Sequence, residues 1–170
     1  MLIHSLQKLQ RIGALPLTTS DMKLYLKIEH QLEDVLLQDM IAAATDSFER
    51  YTSTAITQQI WEVVYKKIDV IEIELPIRPV MKIIDVMHVD LNYQLQHINK
   101  YKLVDCILVI DPIPTCQFLT IRFQAGQDSW PTSEAIKLAL MEHIAFLYEN
   151  RETNKNFDIN KYARFCNIKL

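Results

Sequence analysis

Positions with apolar side chains recur every three or four residues between Pro131 and Arg151, near the C-terminal end of the chain. Six positions share one helical face: Ile136, Ala139, Leu140, His143, Ile144 and Leu147. A second strip runs beside this face and consists of Leu138, Met141, Ala145 and Tyr148. A helix that is apolar over so much of its circumference packs on more than one side, against its own domain, a neighbouring subunit or both. Pro131 and either Thr132 or Ser133 supply its start signals.

The pattern at the N-terminus predicts an arm and then two helices. Four apolar residues of the arm could form a helical stripe that Gly13 and Pro16 end: Leu2, Leu6, Leu9 and Ile12. We expect this terminus to be partly ordered. Capping residues at 18–21 predict a short helix at about 20–27, and a long helix follows at about 31–52. The predicted buried face of the long helix is Leu32, Val35, Leu36, Met40, Ala43, Ala44, Phe48 and Tyr51.

The hydrophobic period changes to two at about residue 57, which is typical of strands. Trp61, Val63 and Tyr65 alternate with Glu62, Val64 and Lys66. After a predicted turn near 67–70, Ile71, Ile73 and Leu75 alternate with Glu72 and Glu74. Further short strands are predicted at 82–89, 101–104, 107–110 and 118–123, with a return within 90–98, a loop at 111–114 and an end at Gly126. Because no helix separates these strands, we expect antiparallel pairing. The sequence therefore predicts an α+β fold, in which a small helical bundle of two N-terminal helices and a long C-terminal helix carries an inserted antiparallel β-sheet or meander.

Composition divides the chain into an N-terminal arm at 1–17, a central domain at 18–155 and a C-terminal tail at 156–170. The stretch from Glu152 to Asn156 is polar, and the tail then regains Phe157, Tyr162 and Phe165. A terminal segment with aromatic side chains behind a polar hinge either docks on a partner or folds back on its own domain. The pattern does not decide between these two alternatives.

Charge and composition exclude several classes of protein. The net charge of −3 over 170 residues argues against a general nucleic-acid binder. No apolar run reaches the ~18 residues that span a bilayer, and the first residues lack the pattern of a signal peptide. Cys106, Cys116 and Cys166 show no CxxC spacing, so we expect free thiols. Two glycines in the whole chain argue against phosphate-cradling loops.

Candidate chemistry is sparse. The five histidines show no metal-ligand spacing: His4, His30, His88, His97 and His143. His143, on an apolar helix face, is expected to be a satisfied core or interface histidine. No nucleophile motif or Walker-type loop occurs, so we expect neither catalysis, nor a cofactor, nor a metal. A modest basic cluster that could contact phosphates weakly consists of Lys66, Lys67, Arg78 and Lys82.

The order of several motifs resembles the head–tail connector, or adaptor, proteins of tailed bacteriophages and of phage-derived gene transfer particles. The resemblance covers roughly residues 15–152. Its most specific parts are the pattern Ala-Ala-Ala-x-x-x-x-Glu-x-Tyr-Thr at 42–52 and the Thr-Gln-x-x-Trp strand at 57–61. Equally specific are the Leu-Pro-x-x-Pro-Val corner at 75–80 and the Phe-x-Ala-Gly strand end at 123–126. The family commonly has a glycine where Ser53 and Thr54 stand, and residues 91–116 match loosely.

The resemblance implies a structural role in a virion, at the head–tail junction of a particle assembled in the cytoplasm of a bacterial host. Such proteins form a homo-oligomeric ring of about a dozen copies beneath the portal protein, extend the DNA channel and meet a neck or tail-completion protein. DNA passes through without sequence-specific binding, and no membrane is involved. Leu138, Met141, Ala145 and Tyr148 are then candidates for the subunit interface, and Phe157, Tyr162 and Phe165 for docking on the portal or an adjacent subunit. The alternative is a DNA-packaging accessory protein that binds duplex DNA directly.

Overall fold

The computed structural model describes residues 2–66, 71–110, 115–126, 133–153 and 155–166. The helices are α1 (Thr19–Leu26), α2 (Asp34–Thr52), α3 (Glu134–Glu149) and a 3₁₀ helix at Ile159–Phe165, which we call the tail helix. The strands are β1 (Leu2–Arg11), β2 (Gln59–Lys66), β3 (Glu72–Glu74), β4 (Val80–Val89), β5 (Leu95–His97), β6 (Lys102–Val104), β7 (Ile107–Val109) and β8 (Phe118–Ala125). The α+β class predicted from the sequence is confirmed.

The chain divides into two compact units. The sheet unit comprises Met1–Gly13 and Thr57–Asp128, and the helical unit comprises Ala14–Ile56 and Ser129–Leu170. Three sequence expectations lie outside the described residues: the turn at 67–70, the loop at 111–114 and the contribution of residues 131 and 132 to the start of α3. None of the helices in the described part of the chain combines the length and apolar character that crossing a bilayer requires.

The sheet unit contains a large sheet with the strand order β1-β2-β8-β4-β5 and a small sheet with the order β3-β7-β6. All pairings between the described strands are antiparallel, as predicted. The order across the large sheet differs from the order along the chain, because β8, the last strand, lies between β2 and β4. The segment Phe118–Ala125 is therefore the central strand of the large sheet, with two strands on each side.

Alternation of buried residues explains the pairing of β2 with β8. Val63 pairs with Ile121 and Tyr65 with Leu119, and all four side chains are buried. Cross-strand partners share one face of a sheet, so these residues form a continuous apolar surface. The Tyr65 hydroxyl donates a hydrogen bond of 3.1 Å to the Glu74 carbonyl and so links the large sheet to the small one. Burial raises the pKa of Tyr65 to about 12, so the phenol stays a donor at neutral pH.

The expectation of a partly ordered arm with a helical stripe is wrong for residues 2–11, which form β1 and pair with β2 along its length. Two β-bulges explain the misleading spacing. The register shifts between Ile3 and Ser5 and again between Lys8 and Gln10, so the alternation restarts twice within one strand. Leu2, Leu6 and Leu9 of β1 are therefore spaced by four and three residues, which is also the spacing of one face of an α-helix.

The core of the helical unit lies between α2, α3 and the tail helix, with α1 packed against both long helices. The packing of two N-terminal helices with the long C-terminal helix is thus confirmed. The buried residues of this core are Leu17, Met22, Ile41, Ala44, Phe48, Ile136, Ala139, Leu140, Ile144, Tyr162 and Phe165. Thr18 and Asp21 form a reciprocal capping box at the start of α1, and the Ser133 hydroxyl accepts a hydrogen bond from the Ile136 amide at the start of α3.

The predicted buried face of α2 is partly wrong. Leu32, Val35, Leu36 and Ala43 are exposed, whereas Leu37 and Ile41 are buried. Ala44 and Phe48 are buried as predicted. Leu37, Ile41, Ala44 and Phe48 recur at steps of four and three, which is as regular a helical stripe as the predicted one. Ile41, Ala44 and Phe48 of this stripe belong to the core that α2 shares with α3, and Leu32, Val35 and Leu36 are left exposed.

Candidate assembly surfaces

The tail helix folds back on the helical unit through aromatic side chains. Tyr162 is fully buried, and its ring meets Phe48 of α2 edge-on at a centroid distance of 4.8 Å. Phe165 lies 5.4 Å from the same phenylalanine. Phe157 stacks on the His143 ring at 4.0 Å, with an angle of 13° between the rings. The tail helix therefore covers an apolar groove between α2 and α3.

A buried polar contact stands inside this aromatic cluster. His143 Nδ1 and the Tyr162 hydroxyl oxygen are 2.7 Å apart. Burial lowers the pKa of His143 to about 4, and burial raises the pKa of Tyr162 well above its ordinary value. Both groups are neutral at pH 7, so the phenol can donate to Nδ1 without burying a charge. The expectation that His143 is a satisfied core histidine is confirmed.

Of the two alternatives for the tail, folding back is the one that the structure displays. Tyr162 and Phe165 are core residues, and Phe157 is half-buried against His143. In this arrangement Tyr162 and Phe165 are not available to a partner. Docking of these side chains on a portal or an adjacent subunit stays a prediction, and it requires the tail helix to leave its groove.

The second strip of α3 is only partly exposed. Leu138 is 49% exposed, whereas Met141 packs against the helical core and Ala145 is half-buried. The Tyr148 hydroxyl donates to Glu33 Oε2 over 2.5 Å. The strip is therefore largely engaged within the helical unit, and Leu138 is its most exposed member for the predicted contact with another subunit.

Glu33 braces the junction of α1 and α2 against the end of α3. Its carboxylate accepts hydrogen bonds from Tyr148 and, over 3.0 Å, from Arg151 Nη1. The hydrogen bond from Tyr148, followed by the Arg151 charge, lowers the pKa of Glu33. A second link, Lys23 Nζ to Asp34 Oδ1 at 2.9 Å, ties the end of α1 to the start of α2. These contacts hold the junction in one geometry.

The braced junction presents an exposed apolar surface, three members of which, Leu32, Val35 and Leu36, were predicted to be buried. We call it the corner patch, and its five large apolar side chains are exposed: Leu24, Tyr25, Leu32, Val35 and Leu36. Leu32 is 91% exposed, Leu24 83% and Val35 73%. Single exposed leucines are normal on soluble proteins, but five large apolar residues within thirteen positions mark an interaction surface.

A row of polar side chains crosses one face of the large sheet, with one residue from each strand: Gln7, Glu62, Arg122, Asp85 and His97. Gln7 Nε2 donates to Glu62 Oε1 over 3.1 Å, and Arg122 Nε donates to Glu62 Oε2 over 2.6 Å. His97 Nδ1 lies 3.0 Å from Asp85 Oδ1. The row pairs opposite charges across strands, so this face is not a positively charged groove.

The structure does not gather the described members of the predicted basic cluster. Lys66 pairs opposite Phe118 and Lys82 opposite Gln124, six residues apart along β8. At 3.3 Å per residue, their positions on the strand are about 20 Å apart. Arg78 forms an ion pair with Glu74. Lys67 lies outside the described residues.

The described ranges contain no cluster of side chains suited to a metal ion. No group of three or more His, Cys, Asp or Glu side chains there is arranged to hold a metal ion. The three cysteines are free, as predicted, and burial raises the pKa of the Cys116 thiol. The surfaces described above are therefore the features from which function can be argued.

Solved structures of gene transfer agent (GTA) particles contain chains with this fold. A chain from the neck of an empty GTA particle, computed with C6 symmetry, matches with a TM-score of 0.75 at 20% identity, over 98% of this chain and 97% of that one. A chain from the virion of a native GTA particle matches with a TM-score of 0.74 at 18% identity, over 97% and 96%. A chain from the neck of a native GTA particle, computed with C12 symmetry, matches with a TM-score of 0.67 at 19% identity, over 100% and 97%.

These matches establish the fold over nearly the full length of both chains. The fold that the sequence resemblance implies is confirmed. No protein-family model matches the sequence, and no curated protein matches it either.

Proposed function

We propose that this chain is a head–tail connector, a structural subunit that forms a ring beneath the portal of a phage or phage-like particle. The observation that carries the proposal is the likeness of fold, over 96% or more of each chain, to chains from the neck and virion of gene transfer agent particles. Motif order in the sequence supports it independently. The proposed location is the head–tail junction of the virion, after assembly in the host cytoplasm.

Formation of a ring would bury apolar surfaces that are exposed in the isolated subunit. Each subunit of a cyclic ring contacts its two neighbours through two different surfaces, because the interface is heterologous. The neck structures that share this fold were computed with C6 and C12 symmetry. Leu138 and the corner patch are exposed in the isolated subunit and are candidates for such contacts. A ring of about a dozen copies would extend the channel through which DNA passes.

The portal and a neck or tail-completion protein are the proposed partners at the two rims of the ring. The tail helix is the proposed portal-docking element. Residues 151–153, which lead into it, are exposed, and a partner that displaces the tail helix would have to cover the groove that it leaves, including Phe48 and His143. Leaving the groove would present Tyr162 and Phe165, which are aromatic side chains of the kind that anchor interfaces.

A direct duplex-binding role is the weaker alternative. The chain carries a net charge of −3. Of the predicted basic cluster, Lys66 and Lys82 lie far apart along the sheet and Arg78 forms an ion pair with Glu74. Phosphate contacts by a few separated lysines give weak and salt-sensitive binding. We propose that the ring lets DNA slide through without retaining it, and that it performs no catalysis.

Electron microscopy of purified particles tests the proposal. A tag fused to the C-terminus should be located as a ring at the portal vertex. Location on the capsid shell or inside the tail tube would contradict it. Binding of the isolated subunit to duplex DNA, measured against salt concentration, separates the alternative, since tight binding that weakens steeply with salt belongs only to a DNA-binding accessory.

A further inference from the structure

The hairpin that joins β4 to β5 carries a second exposed apolar surface, in the sheet unit. We call Leu91, Tyr93 and Leu95 the hairpin tip, and all three side chains are exposed, Tyr93 by 77%. The predicted return of the chain within 90–98 is confirmed by this hairpin. An aromatic and two leucines at the end of a hairpin form a compact protrusion that can enter an apolar depression.

The turn is built to hold its tyrosine outward. The Asp90 carboxylate accepts hydrogen bonds from the amides of Asn92 and Gln94, at 2.8 and 2.9 Å. The Asp90 amide donates to the Gln94 carbonyl over 3.0 Å. Tyr93 has φ of 64°, a left-handed conformation that is unfavourable for a bulky residue. Such backbone strain clusters at binding sites, where the surrounding structure fixes the geometry in advance.

We propose that the hairpin tip of one copy packs on the corner patch of the next copy, and that this contact closes the ring. The inference rests on the proposed function and names the two surfaces that meet. The hairpin tip lies in the sheet unit and the corner patch in the helical unit, so the two are unlike surfaces, as a heterologous interface requires. Two copies that used one patch alone would form a closed pair and no ring.

The areas and charges fit such a contact. The eight exposed apolar side chains present roughly 1,000 Å² of accessible surface, which approaches the total of about 1,200–2,000 Å² buried in a standard protein interface. Residues 91–96 of the hairpin carry no formal charge, and the adjacent Asp90 carboxylate is bonded to the turn amides. Charged side chains of both signs are exposed near the corner patch, namely Lys27, Glu29 and Asp39, so the hairpin tip can approach without placing a charge of its own against either sign.

Contact-deficient variants test the pairing. Leu32→Asp and Tyr93→Asp should each remain folded by circular dichroism, because both side chains are solvent-exposed. Each should abolish rings, both when the variant is mixed with portal complexes and when native mass is measured at high concentration. The matched controls are Val104→Asp and Tyr101→Ala, which change exposed residues outside both surfaces and should leave the rings intact.

Mixing the two defective variants is the decisive measurement. A Leu32→Asp copy keeps its hairpin tip and a Tyr93→Asp copy keeps its corner patch, so one intact contact forms and assembly stops at a heterodimer. Heterodimers in the mixture, with neither variant pairing alone, support the inference. If each variant alone still forms rings, the inferred contact is wrong, but the proposed function is unaffected. Loss of pairing in Leu32→Asp alone also overturns it, since that result indicates a contact between two corner patches. A wild-type chain that stays monomeric with portal complexes overturns the inference and the proposed function together.

Discussion

Acidification should weaken the helical unit through His143. The unfolded chain binds a proton at this histidine with a pKa near 6.5, whereas burial lowers the pKa in the folded chain to about 4. Between these values the unfolded state holds more protons, so the free energy of unfolding falls as the pH falls. At 1.36 kcal/mol per pKa unit, the full loss is about 3 kcal/mol, of which about 2 kcal/mol occurs between pH 7.5 and 5.0.

The stability lost through protonation of His143 can be distinguished from the stability lost through protonation of carboxylates, because the two losses occur in different pH ranges. A hydrogen bond from the Thr18 amide to the Asp21 carboxylate lowers the pKa of Asp21 below 3.8, so the stability that Asp21 contributes is lost only under more acidic conditions. Urea denaturation followed by circular dichroism at 222 nm, at four pH values from 7.5 to 5.0, measures the effect. His143→Gln keeps an acceptor for the Tyr162 hydroxyl but has no titrating group.

We expect the free energy of unfolding of His143→Gln to change by less than about 0.5 kcal/mol over this range, because no buried imidazole is left to protonate. His30→Gln removes an exposed histidine and should retain the wild-type dependence. A wild-type free energy that is constant from pH 7.5 to 5.0 would refute the reasoning. The same is true of an equal loss in His143→Gln and the wild type.

Three further substitutions test a helix cap, a hydrogen bond between helices and a glycine with positive φ. Thr18→Ala removes the hydroxyl that accepts from the Asp21 amide and should lower the free energy of unfolding by about 1 kcal/mol in urea titrations; no change would mean that the cap is dispensable. Tyr148→Phe removes a hydrogen bond to Glu33 and should speed amide exchange at the start of α2, measured by mass spectrometry, with α3 as the internal reference. Gly126→Ala places a Cβ at φ of 80° and should cost about 1 kcal/mol, seen as a lower Tm; an unchanged Tm would contradict the assigned geometry.

The sequence predicts elements best where one face alone is buried. Val63 and Tyr65 alternate with more exposed neighbours in β2, and the structure buries both. The start of α3 at Ser133 is equally well signalled, because its hydroxyl caps the helix. Local chemistry decides both features, so a single sequence suffices to predict them.

The sequence misleads where contacts over long distances decide the outcome. Leu36 and Leu37 are neighbours of equal hydrophobicity, and tertiary packing, which the local pattern does not encode, buries Leu37 and leaves Leu36 exposed. The Tyr162–His143 contact joins residues 19 positions apart across a polar hinge, and no spacing rule announces it. The corner patch was missed for the same reason, since exposed and buried leucines look alike in a sequence.

The central place of β8 has a consequence for synthesis of the chain on the ribosome. β1 and β5 can pair with β2 and β4 early, but β2 and β4 each obtain their second partner only when Phe118–Ala125 emerges. Until then both strands expose unpaired backbone groups, which are the usual route to aggregation of nascent chains. The helical unit likewise waits for α3 and the tail helix, because its core includes Ile144 and Tyr162. Folding of both units is therefore postponed until residues 118–165 have been made, and a chain terminated before them would yield no folded subunit that could enter an assembly.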